Sequence, residues 1–186
     1  MKKILLGVMC ICVAMIFTAC SSESSVKTET TVSVSVNEAT ELMEKGNKNL
    51  EEGNYDEAIK NYNKALEIDD SLVDIYNSRG IAYSVKGEFD KAIADFTKSI
   101  EVDPTEVEKA YSNRGQIYSE MDNAEKALPD FNKAIEINPN YAQAYNNRGA
   151  LYLKSGEKEK AIADFKKALE VDPNNKDAAE NLKNFS

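Results

Sequence analysis

Residues 142–175 read AQAYNNRGALYLKSGEKEKAIADFKKALEVDPNN. Ala144, Tyr145, Arg148, Gly149 and Tyr152 recur at spacings of three and four, which places them on one face of a helix. Ser155-Gly156 interrupts that pattern, and a glycine there supplies the positive φ with which helices commonly end. A second helical stripe follows in Ala161, Ile162, Phe165, Ala168 and Leu169, and Asp172-Pro173 ends it. Proline has no amide hydrogen for the helical ladder and pushes the residue before it out of the α region. Two helices joined by so few residues pack antiparallel. Gly149 and Ala161 fall on the facing surfaces, where larger residues would force the axes beyond the usual 8–10 Å. Tyr152 and Phe165 fill the space that remains, so this aromatic stripe reads as core rather than as a cofactor site.

The same stretch occurs four times. Gly46, Gly80, Gly115 and Gly149 are 34, 35 and 34 residues apart. Each is followed after twelve residues by Ala58, Ala92, Ala127 or Ala161, and after seven more by Ala65, Ser99, Ala134 or Ala168. A unit of this size cannot bury its apolar face alone, so self-similarity at this period predicts a stacked array. Such an array presents an extended surface rather than an enclosed pocket, which points to a binding protein. The expected fold is all-α: an α-solenoid of four helix-turn-helix units over 39–72, 73–107, 108–141 and 142–175. A capping helix over 176–186 closes it, with Ala178, Leu182 and Phe185 toward the last unit.

The pattern Tyr-x-x-x-Gly-x-x-Tyr, then Ala, Phe, Ala and Pro, resembles the tetratricopeptide repeat. The second copy carries it as Tyr76, Gly80, Tyr83, Ala92, Phe96, Ser99 and Pro104. The third has Tyr111, Gly115, Tyr118, Ala127, Phe131, Ala134 and Pro139, and the fourth Tyr145, Gly149, Tyr152, Ala161, Phe165, Ala168 and Pro173. The first departs most, with Leu42, Gly46, Asn49, Ala58, Tyr62, Ala65 and Asp70. A polar departure suits a terminal unit that faces water. The resemblance spans residues 39–186 and implies that the remaining stripe of each first helix lines a concave, peptide-holding groove. On that reading Asn47, Asn77, Gln116 and Asn146 bond an extended backbone, with Met43, Ile81 and Leu153 as apolar contacts and Ser112 in the same row. The competing reading is a solvated helix face. Some members clamp a C-terminal carboxylate with lysine in this groove; Met43 stands at that place here, so that specificity is not expected.

The first residues have a different logic. Lys2 and Lys3 precede an apolar run from Ile4 to Phe17. Fourteen residues fall short of the roughly 17–25 that span a bilayer, and small residues follow, as in a secretory signal. Phe17-Thr18-Ala19-Cys20 resembles the lipobox of bacterial lipoproteins, with Phe17 where that family has Leu, Val or Ile. The resemblance implies cleavage after residue 19 and fatty-acyl chains on Cys20, hence a lipid anchor on the extracytoplasmic side of a bacterial envelope membrane. A plain signal peptide or an N-terminal anchor are the alternatives. Each buried methylene contributes about 0.8 kcal/mol, and two chains anchor stably where one is marginal. Residues 20–38 are rich in Ser, Thr, Val and Glu without an aromatic, a composition that cannot fold alone. About twenty such residues reach roughly 25 Å and read as a flexible tether. The alternation of Val32, Val34 and Val36 also suits addition to a partner's sheet edge.

Composition excludes several functions. There is no histidine, and Cys10 and Cys12 lie in the leader, so Cys20 is the one cysteine left after processing. That removes the usual general base, a thiol nucleophile and the commonest zinc ligands. No phosphate-binding glycine loop is present, and Glu67-Ile68-Asp69-Asp70 and Asp172-Pro173-Asn174-Asn175 lack calcium-loop spacing. The chain is expected to be no enzyme and to hold no metal or cofactor. Loss of Lys2 and Lys3 leaves 21 basic against 32 acidic residues, a formal −11, which suits neither nucleic acid nor anionic lipid. Two functions stay open: an envelope scaffold that binds a protein or peptide partner, and a self-associating structural protein.

One set of charges travels together. Arg79, Arg114 and Arg148 each precede the repeat glycine, and Asp95, Asp130 and Asp164 lie sixteen residues later. The first copy has Lys45 and Asn61 instead, so both members change at once. An ion pair between the two helices of each unit accounts for this, since guanidinium suits bidentate carboxylate contact and lysine does not replace it. The alternative is an arginine row receiving an acidic ligand.

The third copy is the weakest. It has Asp122 for the turn glycine, Ala124 where two copies have an aromatic, and Pro129 within its second helix. A proline there removes one backbone donor. Amide hydrogen exchange is expected to be fastest in residues 108–141 among the three later copies; uniform protection would contradict this.

Overall fold

The computed structural model describes residues 37–104 and 107–184. These form nine helices and no strand: α1 over 37–51, α2 Tyr55–Ile68, α3 Val73–Val85, α4 Phe89–Val102, α5 Glu108–Glu120, α6 Ala124–Ile137, α7 Ala142–Lys154, α8 Lys158–Val171 and α9 Lys176–Lys183. The leader, Cys20 and most of the tether lie outside the described residues, as do Val32, Val34, Val36, Thr105, Glu106 and Phe185. Asn37 and Glu38, read above as tether, are already helical. No described helix is long and apolar enough to cross a membrane.

The helices pair as α3 with α4, α5 with α6 and α7 with α8, and each pair packs on the next. The odd-numbered helices also touch one another in succession from α3 to α9, whereas the even-numbered ones do not. The odd helices therefore form the inner, concave layer and the even helices the outer one. The last helix, α9, packs on α8 and α7 in the place of a fifth unit's first helix. Its Ala178 is buried, and Asn175 caps it by accepting a hydrogen bond from the Ala178 amide at 2.9 Å.

The repeat glycines are fixed by sterics. A Cβ built on Gly80 would stand 2.7 Å from a ring carbon of Phe96, and one on Gly149 would stand 2.7 Å from Phe165 and 3.3 Å from the Ala161 carbonyl oxygen. Gly46 and Gly115 meet Tyr62 and Phe131 in the same way. Each ring is buried in the space that the glycine leaves. The turn glycines have a different reason. Gly53, Gly87 and Gly156 have φ of 78°, 74° and 81°, a region that L side chains avoid. Asp122 holds φ 58° at the same place in the third unit. Asp tolerates this conformation better than most, and Lys154 forms an ion pair with it. Asn123 then caps α6, accepting from the Lys126 amide at 3.1 Å. Helix α6 runs through Pro129 for 14 residues, the length of α2, α4 and α8.

Replacing Gly149 with alanine gains about 1 kcal/mol of helix propensity, but overpacking costs about 1–3 kcal/mol. A net loss of about 1 kcal/mol is expected in chemical denaturation. Gly87→Ala meets no atom within 4 Å, so it should lose about 1 kcal/mol from φ alone. A Gly149→Ala protein of unchanged stability would mean that Phe165 moves aside freely.

Candidate functional site

The concave face is carried by the first helix of each unit, and three arginines set the position of those helices. The Arg79 Nε and Nη2 donate to the two oxygens of Asp95 at 2.8 and 2.7 Å. Arg114 does the same to Asp130, both at 2.8 Å, and Arg148 to Asp164, both at 2.8 Å. The aspartates are buried, at 6% exposure each. The bond to Asp130 holds the Arg114 guanidinium protonated above its ordinary range, outweighing the burial that opposes charge. Each guanidinium carbon also sits over the tyrosine three residues earlier, 5.7 Å from Tyr76, 5.4 Å from Tyr111 and 5.7 Å from Tyr145, a favourable cation–π distance.

The third arm of each guanidinium leaves the unit. Nη1 of Arg79 donates to Asn63 on α2 at 2.6 Å, that of Arg114 to Thr97 on α4 at 2.9 Å, and that of Arg148 to Asn132 on α6 at 2.7 Å. One side chain thus ties three helices, two in its own unit and one in the unit before. Sequence reasoning found the first two and missed the third. Its signal is the residue after the buried ring: Asn63, Thr97 and Asn132 are acceptors, whereas the last unit has Lys166, which no arginine follows.

The groove row divides. Met43, Asn47, Asn77 and Ile81 are half-buried, and Gln116 and Leu153 are exposed. Ser112 and Asn146 are 0% and 5% exposed, so they are not surface groups for a ligand backbone. The cause is a ladder between adjacent first helices. Asn113 Nδ2 donates to Asn77 Oδ1 at 3.2 Å, Asn147 Nδ2 to Ser112 Oγ at 3.3 Å, and Asn181 Nδ2 to Asn146 Oδ1 at 3.0 Å. The first unit has Met43 at that place, a thioether and at best a weak acceptor, and its polar contact lies instead on the buried Tyr62 hydroxyl. That hydroxyl donates to Asn47 Oδ1 at 2.8 Å. The amide row is therefore mainly structural. The surface left to a partner consists of Met43, Ile81, Gln116 and Leu153, the free amide edges and the rims of shallow clefts.

Three such clefts open on this face. One of about 540 Å³ lies between the N-terminal ends of α3 and α5, and one of about 310 Å³ beside it reaches Met43. A third of about 380 Å³ runs from Gln116 and Gln143 to Asp177 and Glu180 on α9. Among the described residues, no three His, Cys, Asp or Glu side chains gather to hold a metal ion.

The model described as tetratricopeptide repeat matches residues 73–106, 108–141 and 142–175, and one described as TPR repeat matches 46–84. No curated protein matches. A solved structure of MamA protein is 30% identical, with TM-score 0.65, over 77% of this chain and 78% of that one. The first TPR of Spaghetti (RPAP3), bound to HSP90 peptide SRMEEVD, is 30% identical, with TM-score 0.56, over 60% of this chain and 88% of that one. YrrB, described as a TPR protein with an unusual peptide-binding site, is 26% identical, with TM-score 0.60, over 76% of this chain and 72% of that one.

A double-mutant cycle on Arg114 and Asp130 is expected to give a coupling energy of about 1–3 kcal/mol; a value near zero would remove the pair's structural role. Thr97→Val keeps the shape and deletes the acceptor for Arg114, and should cost about 1 kcal/mol.

Proposed function

The chain belongs to the tetratricopeptide repeat family, and on that premise we propose that it is a protein-interaction scaffold. It holds a segment of a partner protein against the concave face of its four units. Fatty-acyl chains on Cys20 anchor it to a membrane of a bacterial envelope, on the extracytoplasmic side, and residues 21–36 give the array its reach. The observation that carries this reading is the open inner layer, where Met43, Ile81, Gln116 and Leu153 remain accessible beside the clefts. Two of the similar structures are described by their peptide or peptide-binding site, which supports a peptide segment as the ligand. The leader and the Phe17-Thr18-Ala19-Cys20 motif support the anchor. No catalytic step, cofactor or nucleic acid enters this function.

Self-association by end-to-end stacking is the competing function, and the two ends of the array argue against it. A preceding unit would need an arginine where the first unit has Lys45. A following unit would need an acceptor where the fourth has Lys166, which is exposed. Leu182 of α9 occupies the arginine's place.

A photo-crosslinking residue placed at Ile81 or Gln116 is expected to trap a discrete partner in intact cells. The same residue at Lys98 or Lys166, exposed on the outer layer, is expected to trap none. Crosslinks confined to the outer positions would overturn groove binding. Cys20→Ser should move the protein from the membrane to the soluble fraction, and retention at the membrane would overturn the lipid anchor.

A further inference from the structure

The four units are not equivalent, and their departures meet in one place. Ser99 stands where the other copies have Ala65, Ala134 and Ala168, and the turn between Pro104 and Gly115 carries the one extra residue of the array. Ser99 and Val107, which closes that turn, both line the cleft of about 540 Å³, with Asp74, Asn77, Glu108 and Ile137. Its neighbour of about 310 Å³ shares Val73, Asp74 and Val107 with it and adds Met43, Leu72 and Asp103. The two form a double cleft lined by aliphatic and polar side chains together, with acidic groups among them.

The charges are unbalanced. Asp74 and Glu108 share the lining of the larger cleft with a single cation, Lys109. Asp74 has no ion pair among the described residues, and an oxygen of Glu108 is oriented by the Asn138 amide at 3.3 Å. The Asn77 side-chain oxygen accepts from Asn113, and Asn77 also lines the cleft. Volumes of this order suit ligand side chains. The partly exposed Val73 and Ile137 beside the carboxylates of Asp74 and Glu108 suit a long basic side chain, which lays its methylenes on apolar surface and keeps its charge in water. An acidic segment would bring its carboxylates against Asp74 and Glu108, on a chain of formal charge −9.

Building on the groove-binding function, we propose that this double cleft is the specificity site of the concave face. It takes two side chains of an extended partner segment. One is a lysine or arginine, its stem along Val73 and Ile137 and its charge against Asp74 and Glu108; the other is aliphatic and lies against Met43 and Leu72. The partner is thus a basic, partly apolar stretch of protein.

The full chain, in detergent, is titrated into fluorescein-labelled (Lys-Val)4, (Glu-Val)4 and (Ser-Val)4 peptides, with anisotropy as the readout. The lysine peptide is expected to bind at least tenfold tighter than the other two, and to weaken as salt screens the charges. Asp74→Asn with Glu108→Gln should weaken it at least tenfold. Asp90→Asn with Glu159→Gln makes the same charge change on the exposed outer layer and should alter it less than twofold. Circular dichroism establishes that both variants are folded. Equal losses in the two variants would reduce the effect to the field of the whole chain and overturn the proposal, as would the absence of a lysine preference. If the three peptides bind alike, and crosslinks still form at Ile81 and Gln116, groove binding stands and the cleft assignment alone fails. If no peptide binds and those crosslinks are also missing, both fail.

Discussion

The contact on which the array depends is the aromatic ring laid against a glycine. It recurs as Gly46 with Tyr62, Gly80 with Phe96, Gly115 with Phe131 and Gly149 with Phe165, always sixteen residues apart. A missing Cβ brings the first helix of each unit close to the second, and the ring fills the gap without a void. The arginine precedes the glycine by one residue and the aspartate precedes the ring by one, so the ion pair inherits the same offset of sixteen. The steric contact fixes the distance between the helices, and the guanidinium beside it fixes their register. The first unit lacks the ion pair and has a tyrosine for the phenylalanine. A buried tyrosine needs a partner for its hydroxyl, and Asn47, next to Gly46, provides it at 2.8 Å.

Burying a charged pair is a weak source of stability, because desolvation offsets most of the attraction. Its effect here is directional. Three helices must be in place before a guanidinium such as that of Arg114 finds Asp130 on one side and Thr97 on the other. An apolar contact tolerates sliding; a planar fork with fixed acceptors does not. The amide ladder acts likewise between first helices, from Asn113 to Asn77, Asn147 to Ser112 and Asn181 to Asn146. The curvature of the concave face therefore rests on polar contacts layered over a steric core.

Much of this was legible in the residues. The glycine period and the Ala, Phe and Pro that follow it declare the two-helix unit, since each residue type has a steric or backbone reason to stand where it does. The pairing of Arg114 with Asp130 was also legible, because both members change together in the first copy. The third arm of the arginine was not, because the relevant residue varies between asparagine and threonine and carries no charge to follow. The groove was misread at Ser112 and Asn146. Helical periodicity puts them on the stripe that faces away from the unit's own second helix. It is silent on the next unit, whose Asn147 and Asn181 reach across and take them. A contact between copies is visible only when position is compared across the period: the acceptor in one copy and the amide one place further on in the next. The double cleft was not legible, because nothing in the period says that Ser99 and Val107 meet at one wall.

The third arm of the arginine has a consequence for how such a chain grows. It points always toward the preceding unit, so every internal junction needs an acceptor upstream and an arginine downstream. A duplicated copy of the second or third unit, inserted in the interior, arrives with both. A copy appended after the fourth meets Lys166 and finds a cation opposed to its own arginine. An added unit therefore meets different neighbours in the interior and at the end of this sequence. The junction chemistry at the margins of the array, Lys45 and Lys166, thus differs from that repeated in its middle.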